Sequence, residues 1–540
     1  MNRTTLSLLA AATALAAVTG FAALTAPDGT DTASAQAPAR LPVERSSLLC
    51  PAPSVSEIAE TTYTSFTPAG GTGGGAATGT AELRESTVTL ADPSGTDDKA
   101  DDKSDDSADD KDSADTAEDK DSADDKAGKK DDPKKDAAQD KAFIALKEPG
   151  KPVAAEASGA EAPALVGVAT GRFAPGWTTQ QTTTVAVGGA RGLLGTACAA
   201  PDTDFWFPGA DTEKTRQDYV HLTNPDDTAA VADIELYGKD GALKAEVGEG
   251  VPVPPRSSVP VLLSTLTTDA AADVTVHVTT RTGRVGAVVR AADDTAGSDW
   301  LAASADPSGR VVLPGIPADA TDVRVVAFAP GDDDADLKVQ LAGADGTITP
   351  AGHETLHVKS RMTASLDLAD VTKGEAGSLV LSPADGGRAT PVVAALRVVR
   401  GKGDKQEIAF IPATGPIAAR ATAADNRAKG STLSLTAPGA AAKVKVTASA
   451  GTEAGEPVVK TYTVKAGTTL AVTPPVPAGL KGSYALTVEP ESGGPVYAAR
   501  TLALPEDGVP MFTVQTLPDD RGTVSVPKAR EDLSILGARD

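Results

Sequence analysis

His353-Glu354-Thr355-Leu356-His357 has the spelling of a zinc hydrolase: two histidines four residues apart, with a glutamate beside the first. On a helix that spacing puts both imidazoles on one face, where they share a metal whose water the carboxylate polarises. The backbone decides whether such chemistry is available. Gly352 precedes the motif and Val358 follows it in β-type alternation. In an extended strand, residues four apart point the same way but lie about 13 Å from each other, too far for one Zn²⁺. The pattern predicts a strand, so a zinc hydrolase acting through His353, Glu354 and His357 stands as the remote alternative.

Other chemistry-bearing patterns are sparse. The chain has no nucleophile elbow, no Walker-type phosphate loop and no cysteine–histidine cluster, and we expect no catalytic residue, metal or cofactor. His221 and His277 fall on predicted strands, where a packed or surface imidazole is the default. The acidic turn at 332–336 reads as a hairpin tip. Arg290, Arg397 and Arg500 recur at matching positions. A repeated anion contact is one meaning; a guanidinium tied to a loop carboxylate is the expected one. Aromatic residues make up only 3% of the chain. Trp206, Phe207 and Trp300 are the candidate ligand contacts, although a tryptophan at a domain junction more often packs than binds. Cys50 and Cys198 are the only cysteines, and an even pair in an exported chain predicts a disulfide.

The elements that must position these residues are short strands. From 219 to 290, β-branched residues alternate with polar ones in runs at 219–222, 234–237, 251–253, 259–263, 274–278 and 285–289, separated by Asn, Pro, Asp and Gly turns. The unit repeats. Asn224-Pro225 is echoed by Ala329-Pro330 and Ala437-Pro438, and Val251-Pro252-Val253 by Leu356-His357-Val358 and Tyr462-Thr463-Val464. The strand ending at Arg290 returns at Arg397 and Arg500. A period of about 105 residues suits whole sandwiches in tandem. An apolar strand running into proline leads each unit, at 205–209, 311–315 and, more loosely, 409–412.

The expected fold is therefore all-β: tandem immunoglobulin-like antiparallel β-sandwich domains at 201–300, 301–405 and 406–540, after a divergent sandwich at 41–200. That first domain carries an Asp/Lys-rich insertion at 92–141. Between 97 and 141 lie nineteen acidic residues and ten lysines, with no aromatic or branched aliphatic side chain, a composition that predicts disorder. Residues 1–40 read as a signal peptide or signal-anchor helix plus linker, with Arg3 ahead of an apolar stretch of about twenty residues. Cleavage or retention as an anchor both place the body outside the cytoplasm. The net charge of −24 argues against nucleic acid as a partner. Membrane contact is expected only through the N-terminal segment, if that segment is uncleaved.

Leu49-Cys50-Pro51, the stretch from Arg191-Gly192-Leu193 to Cys198, Trp206-Phe207-Pro208-Gly209 and the Asn-Pro-led units together resemble a family of secreted or membrane-anchored actinobacterial proteins of unknown function. The resemblance implies location and architecture and brings no catalytic residue. The combined expectation is a non-catalytic extracytoplasmic β-sandwich protein, acting as a structural or binding module at the cell envelope. Its partner would be a cell-wall glycan or another envelope protein. The alternative is a carbohydrate-binding or cell-wall glycan-assembly accessory protein that uses the tryptophans.

Overall fold

The computed structural model describes residues 39–70, 78–89, 141–245, 247–384 and 386–527. The N-terminal apolar segment, the acidic insertion up to residue 140 and the C-terminal tail lie outside the described residues. Among the described residues no helix is long and apolar enough to cross a membrane.

The strands form four sandwiches that share a set of eight strands each, the second and third adding the two-residue strands Gly241–Ala242 and Thr347–Ile348. The first holds β1 (Arg45–Cys50), β2 (Glu60–Phe66), β3 (Ala81–Val88), β4 (Ile144–Ala145), β5 (Val153–Ser158), β6 (Ala164–Thr170), β7 (Thr178–Val185) and β8 (Gly192–Ala197). The second holds β9 (Asp204–Ala210), β10 (Tyr219–Thr223), β11 (Ala230–Gly238), β12 (Val251–Val253), β13 (Ser257–Leu262), β14 (Val274–Thr282), β15 (Gly286–Asp293) and β16 (Gly297–Leu301). The third holds β17 (Val311–Ile316), β18 (Ala320–Phe328), β19 (Ala335–Ala342), β20 (Thr355–Val358), β21 (Thr363–Asp367), β22 (Gly377–Pro383), β23 (Val393–Lys402) and β24 (Lys405–Pro412). The fourth holds β25 (Ala421–Asn426), β26 (Ser431–Ala437), β27 (Ala442–Gly451), β28 (Val458–Val464), β29 (Thr468–Val472), β30 (Tyr484–Gly493), β31 (Tyr497–Ala503) and β32 (Phe512–Thr516).

One topology serves all four. The first, sixth, third and fourth strands make one sheet in that order, and the fifth, second, seventh and eighth make the other. The pairing of second with fifth and third with sixth strands is immunoglobulin-like. The first and seventh strands have exchanged sheets relative to that arrangement. Period-two burial explains why these segments are strands. In β11, Ala230, Ala232, Ile234 and Leu236 are buried, while Val231, Asp233 and Glu235 alternate with them on the other face. The matching third strands β19 and β27 repeat that alternation. The second, third and fourth sandwiches each enclose a core of Val, Ala and Leu with few aromatics, while the core of the first is built of Leu and Ala around Tyr63, Phe173 and Trp177.

The echoes in the sequence fall on equivalent elements. The Asn-Pro and Ala-Pro turns follow the second strands β10, β18 and β26; Val251–Val253 and its echoes are the fourth strands; the arginine-ending runs are the seventh strands. One expectation needs correction. Residues 409–412 do not lead the fourth unit, because β24 pairs along its whole length with β23 and so closes the third sandwich. The leading strand of the fourth sandwich is β25. An apolar strand ending in proline describes a buried closing strand as well as a leading one, and the sequence alone does not separate them.

Residues 42–522 form one compact unit. The first strand of each sandwich lies across the second sheet of the next: β1 meets β15, β9 meets β18 and β23, and β17 meets β26 and β31. The fourth sandwich then returns to the first, with β25 against β2 and β7. The closing strands β8, β16, β24 and β32 touch in the same cyclic order. Contacts recur from seam to seam. Thr363 Oγ1 donates to Thr275 Oγ1 at 2.9 Å where the second sandwich meets the third, and Thr469 Oγ1 donates to Ser378 Oγ at 2.9 Å where the third meets the fourth. At the first seam the sheets join edge to edge: β13 pairs with β3 in parallel through Ser257–Thr87 and Ser258–Val88. Separately, Ala39–Pro42 and Thr523–Val526 make a two-stranded ribbon.

Close approach at the seams requires glycine. Gly315 sits in a bulge of β17 at φ 92°, and a Cβ there would lie 2.7 Å from Ala499 Cβ of the fourth sandwich. Gly315→Ala is expected to destabilise the protein by about 2–4 kcal/mol through strain and overpacking. Gly439→Ala, where a Cβ would meet nothing within 4 Å, should be close to neutral. Urea unfolding of the two variants beside the parent measures the difference.

Candidate functional site

The zinc-like motif does not assemble a metal site. His353 lies in the turn before β20, and Thr355–Val358 is the strand that the sequence predicted. His357 Nδ1 lies 2.7 Å from Asp336 Oδ1, its Nε2 is 3.6 Å from Asp334, and the imidazole is half exposed. Glu354 accepts the Gly352 amide at 2.9 Å, which holds its carboxyl below the usual range. Among the described residues no group of three or more His, Cys, Asp or Glu side chains is placed to hold a metal.

The aromatic candidates divide. Phe207 is completely buried in the core of the second sandwich and Trp300 is 2% exposed. Neither ring reaches solvent, which corrects the expectation of a surface ligand contact for both. Trp300 packs with Val288, Leu194, Val185 and Ala59 where the first two sandwiches meet. Trp206 keeps partial exposure, but His277 stacks on it at 3.6 Å between centroids and Phe328 lies 5.3 Å away. Its ring thus belongs to the seam between the second and third sandwiches. His277 Nδ1 in turn sits 2.9 Å from Glu235 Oε2.

Cys50 and Cys198 are bonded, with Cα atoms 4.4 Å apart. The bridge joins the end of β1 to the residue after β8, so it fastens the first strand of the first sandwich to its last. Leu49 and Ala199 exchange backbone hydrogen bonds beside it.

A buried polar cluster lies where the closing strands converge. Asp299 and Glu407 are both 0% exposed. Asp299 Oδ1 accepts the Gly195 amide at 2.9 Å, and Thr513 donates its hydroxyl to the same carboxyl at 3.0 Å. Glu407 Oε1 accepts the Leu193 amide at 2.9 Å, with Arg191 Nε 3.9 Å from Oε2. Each carboxyl therefore ties strands of different sandwiches. Burial pushes Asp299 well above the usual range and Glu407 up to about 8. Arg500, 0% exposed, donates to Gln515 Oε1 at 2.8 Å, and Gln515 is also bonded to Gln180. Asp425 donates its amide to Gln180 Oε1 and accepts the Thr182 hydroxyl at 2.9 Å. In sequence these residues look like ordinary surface polars. The fold buries them because strands that would be sheet edges in an isolated sandwich face each other here.

The arginines behave differently from one another. Arg397 meets Asp322 at 3.8 Å, as the carboxylate-tie reading expects. Arg500 has Asp425 and Asp299 close enough to act on its charge. Arg290 is buried beneath the first sandwich, with its Cζ 5.0 Å from the Tyr219 ring centroid.

The open concavities lie at the seams. A cleft of about 680 Å³ runs over the junction of the first and second sandwiches, with Arg45, Arg84, Val166, Val168, Asp226 and Arg256 among its lining. Arg256 sits there at φ 49°, a left-handed conformation rare outside glycine, and its carbonyl accepts the Ser86 hydroxyl at 2.6 Å. A smaller hollow of about 290 Å³ is formed by the loops preceding three of the closing strands, including Gly188, Arg191, Asp294 and Asp507. Loops carried on a stiff scaffold are the usual place for recognition. The first cleft, with guanidinium and carboxylate groups over a valine floor, is the candidate binding site. Sequence reasoning missed it because it is assembled from residues about 170 positions apart, as the Ser86–Arg256 bond shows.

The chain belongs to a family of unknown function, DUF5719, whose model matches residues 153–475. The matched stretch runs from the fifth strand of the first sandwich to just beyond the fifth strand of the fourth, three full repeats. No curated protein matches the chain.

The buried carboxyls make stability depend on pH. Glu407 ionises near 4.5 when free and holds its proton to about 8 when folded. The native state therefore binds more protons than the unfolded one in this interval. The stability contributed is complete below about pH 4.5 and is lost as pH rises through 8. Each proton corresponds to a slope of up to about 1.4 kcal/mol per pH unit. Glu407→Gln should flatten the decline, measured by urea unfolding from pH 5 to 8.5.

Proposed function

We propose that this chain, a member of the DUF5719 family, is an extracytoplasmic, non-catalytic protein that serves as a structural or binding module at the bacterial cell envelope. The observation that carries this reading is the Cys50–Cys198 disulfide. Disulfides persist in oxidising compartments and are rare in reducing cytosol. The N-terminal Arg3 and the uncharged apolar stretch behind it support the same location.

The binding role rests on the cleft over the first seam. Its walls come from two sandwiches whose sheets are joined by backbone pairing, so its width is set by hydrogen bonds rather than by a hinge. A glycan or an extended segment of another envelope protein suits an open, charged cleft with a modest apolar floor. Because Trp300 is buried and Trp206 is stacked into a seam, a glycan contact is better assigned to Arg45 and its neighbours than to the tryptophans.

Location is tested by cell fractionation combined with thiol alkylation before and after reduction. The expected result is protein in the envelope or the medium, with both cysteines blocked until reduced. Cytosolic protein with two free thiols would overturn the reading. Loss of the bridge in Cys50→Ser should cost about 2–5 kcal/mol of stability, read by urea unfolding. Binding is tested by pull-down on peptidoglycan and wall polysaccharide. Arg45→Glu is expected to weaken retention while Trp206→Ala leaves it; the reverse pattern would move the contact back to the aromatic residues.

A further inference from the structure

The seventh strands β15 and β23 place Arg290 and Arg397 at one shared position, on the face turned away from their own cores, whereas Arg500 pairs with the core residue Leu433 and so lies on the opposite face of β31. Arg397 and Arg500 stand near carboxylates, Asp322 in the third sandwich and Asp425 with Asp299 around the fourth. Arg290 makes no ion pair or hydrogen bond with a carboxylate among the described residues. The nearest acid acting on it, Asp218, is fully buried and already held by Arg216 through two hydrogen bonds at 3.1 and 2.8 Å. Arg290 is 6% exposed, and its Nε and Nη1 have no hydrogen-bond partner.

Two further side chains share this face of the sheet. Trp300 pairs with Arg290 across β16 and β15, and His221 lies on the adjoining β10. The His221 and Trp300 rings meet edge to face at 5.1 Å. Both ring nitrogens of His221 and the indole Nε1 of Trp300 are buried without a partner. The surface laid over this face includes Ala59, Val185 and Leu194 of the first sandwich, and the Thr61 and Thr183 hydroxyls on the same strand face are bonded to each other at 2.9 Å. A buried guanidinium whose only nearby acid is already engaged elsewhere is disfavoured, and each buried N–H left unmatched adds to the cost. Burial keeps His221 neutral, so one of its ring nitrogens donates; with Arg290 Nε and Nη1 and the Trp300 indole N–H, this face carries four unmatched donors, an environment for a negative charge.

We propose that Arg290, His221 and Trp300 hold a small, weakly hydrated monoanion of the halide type at the seam between the first and second sandwiches. The ligand class follows from the donors. One guanidinium, one imidazole and one indole N–H supply a single positive charge and few hydrogen bonds, which suits a spherical monoanion and would leave a phosphate or sulfate undercoordinated. The bound ion supplies Arg290 with a counter-charge in direct contact and couples the stability of this seam to halide concentration.

The experiment uses the whole protein. Crystals of the parent grown or soaked in bromide should show an anomalous peak between the Arg290 guanidinium and the His221 and Trp300 rings. In solution, replacing gluconate by chloride at constant ionic strength should raise the melting temperature by a few degrees, saturably. That rise should vanish in Arg290→Met and persist in Arg397→Met. Absence of the bromide peak, or an equal chloride response in parent and Arg290→Met, overturns the proposal. Should Arg290→Met fail to fold, the diffraction result on the parent decides alone.

Discussion

Everything in this molecule depends on one repeated contact: the first strand of a sandwich laid across the second sheet of its neighbour. The contact is heterologous, since the two partners use different surfaces, and four such steps close on themselves. Closure explains why strands that would be solvent-facing edges in a free sandwich are buried. It also explains the composition. A seam formed by backbone sheets in near contact favours Gly, Ala, Ser and Thr, and the chain is rich in small residues while holding only 3% aromatics. The hydroxyl pair Thr275–Thr363 and its counterpart Ser378–Thr469 show one solution used twice.

The second consequence of closure is the polar centre. Apolar residues alone would leave backbone amides of β8 without acceptors, because β8 is the last strand of its sheet. Asp299 and Glu407 supply those acceptors from two other sandwiches. These carboxyls thus act as caps for a neighbour's sheet edge, which places acids where they hold protons unusually tightly. The same logic leaves Arg290, unlike its equivalent Arg397, without a carboxylate ion pair, on a face packed against Ala59, Val185 and Leu194.

Much of the fold was legible in the sequence because period-two alternation and turn residues are local signals. The fourth strands, the seventh strands and the turns after the second strands all fall where the echoes put them, and the disulfide joins the two cysteines that the chain offers. The misplaced lead strand at 409–412 and the exchange of the first and seventh strands between sheets have a common cause. Strand identity is written in the pattern, whereas strand partnership is decided by distant residues. The candidate cleft and the central cluster were illegible for the same reason. Nothing near Arg256 in sequence announces Ser86, and nothing near Glu407 announces Leu193. Trp300 and Phe207 looked available to ligand because aromatic identity says nothing about which face of a strand is covered.

Closure by the fourth sandwich also sets the assembly state that one polypeptide can reach. An array with this step and no return would carry an open socket at one end and an unsatisfied plug at the other, and so would grow head to tail into a filament. Here β25 enters the socket formed by β2 and β7. The chain is therefore its own chain terminator, a polymer of four links whose last link is spent on the first.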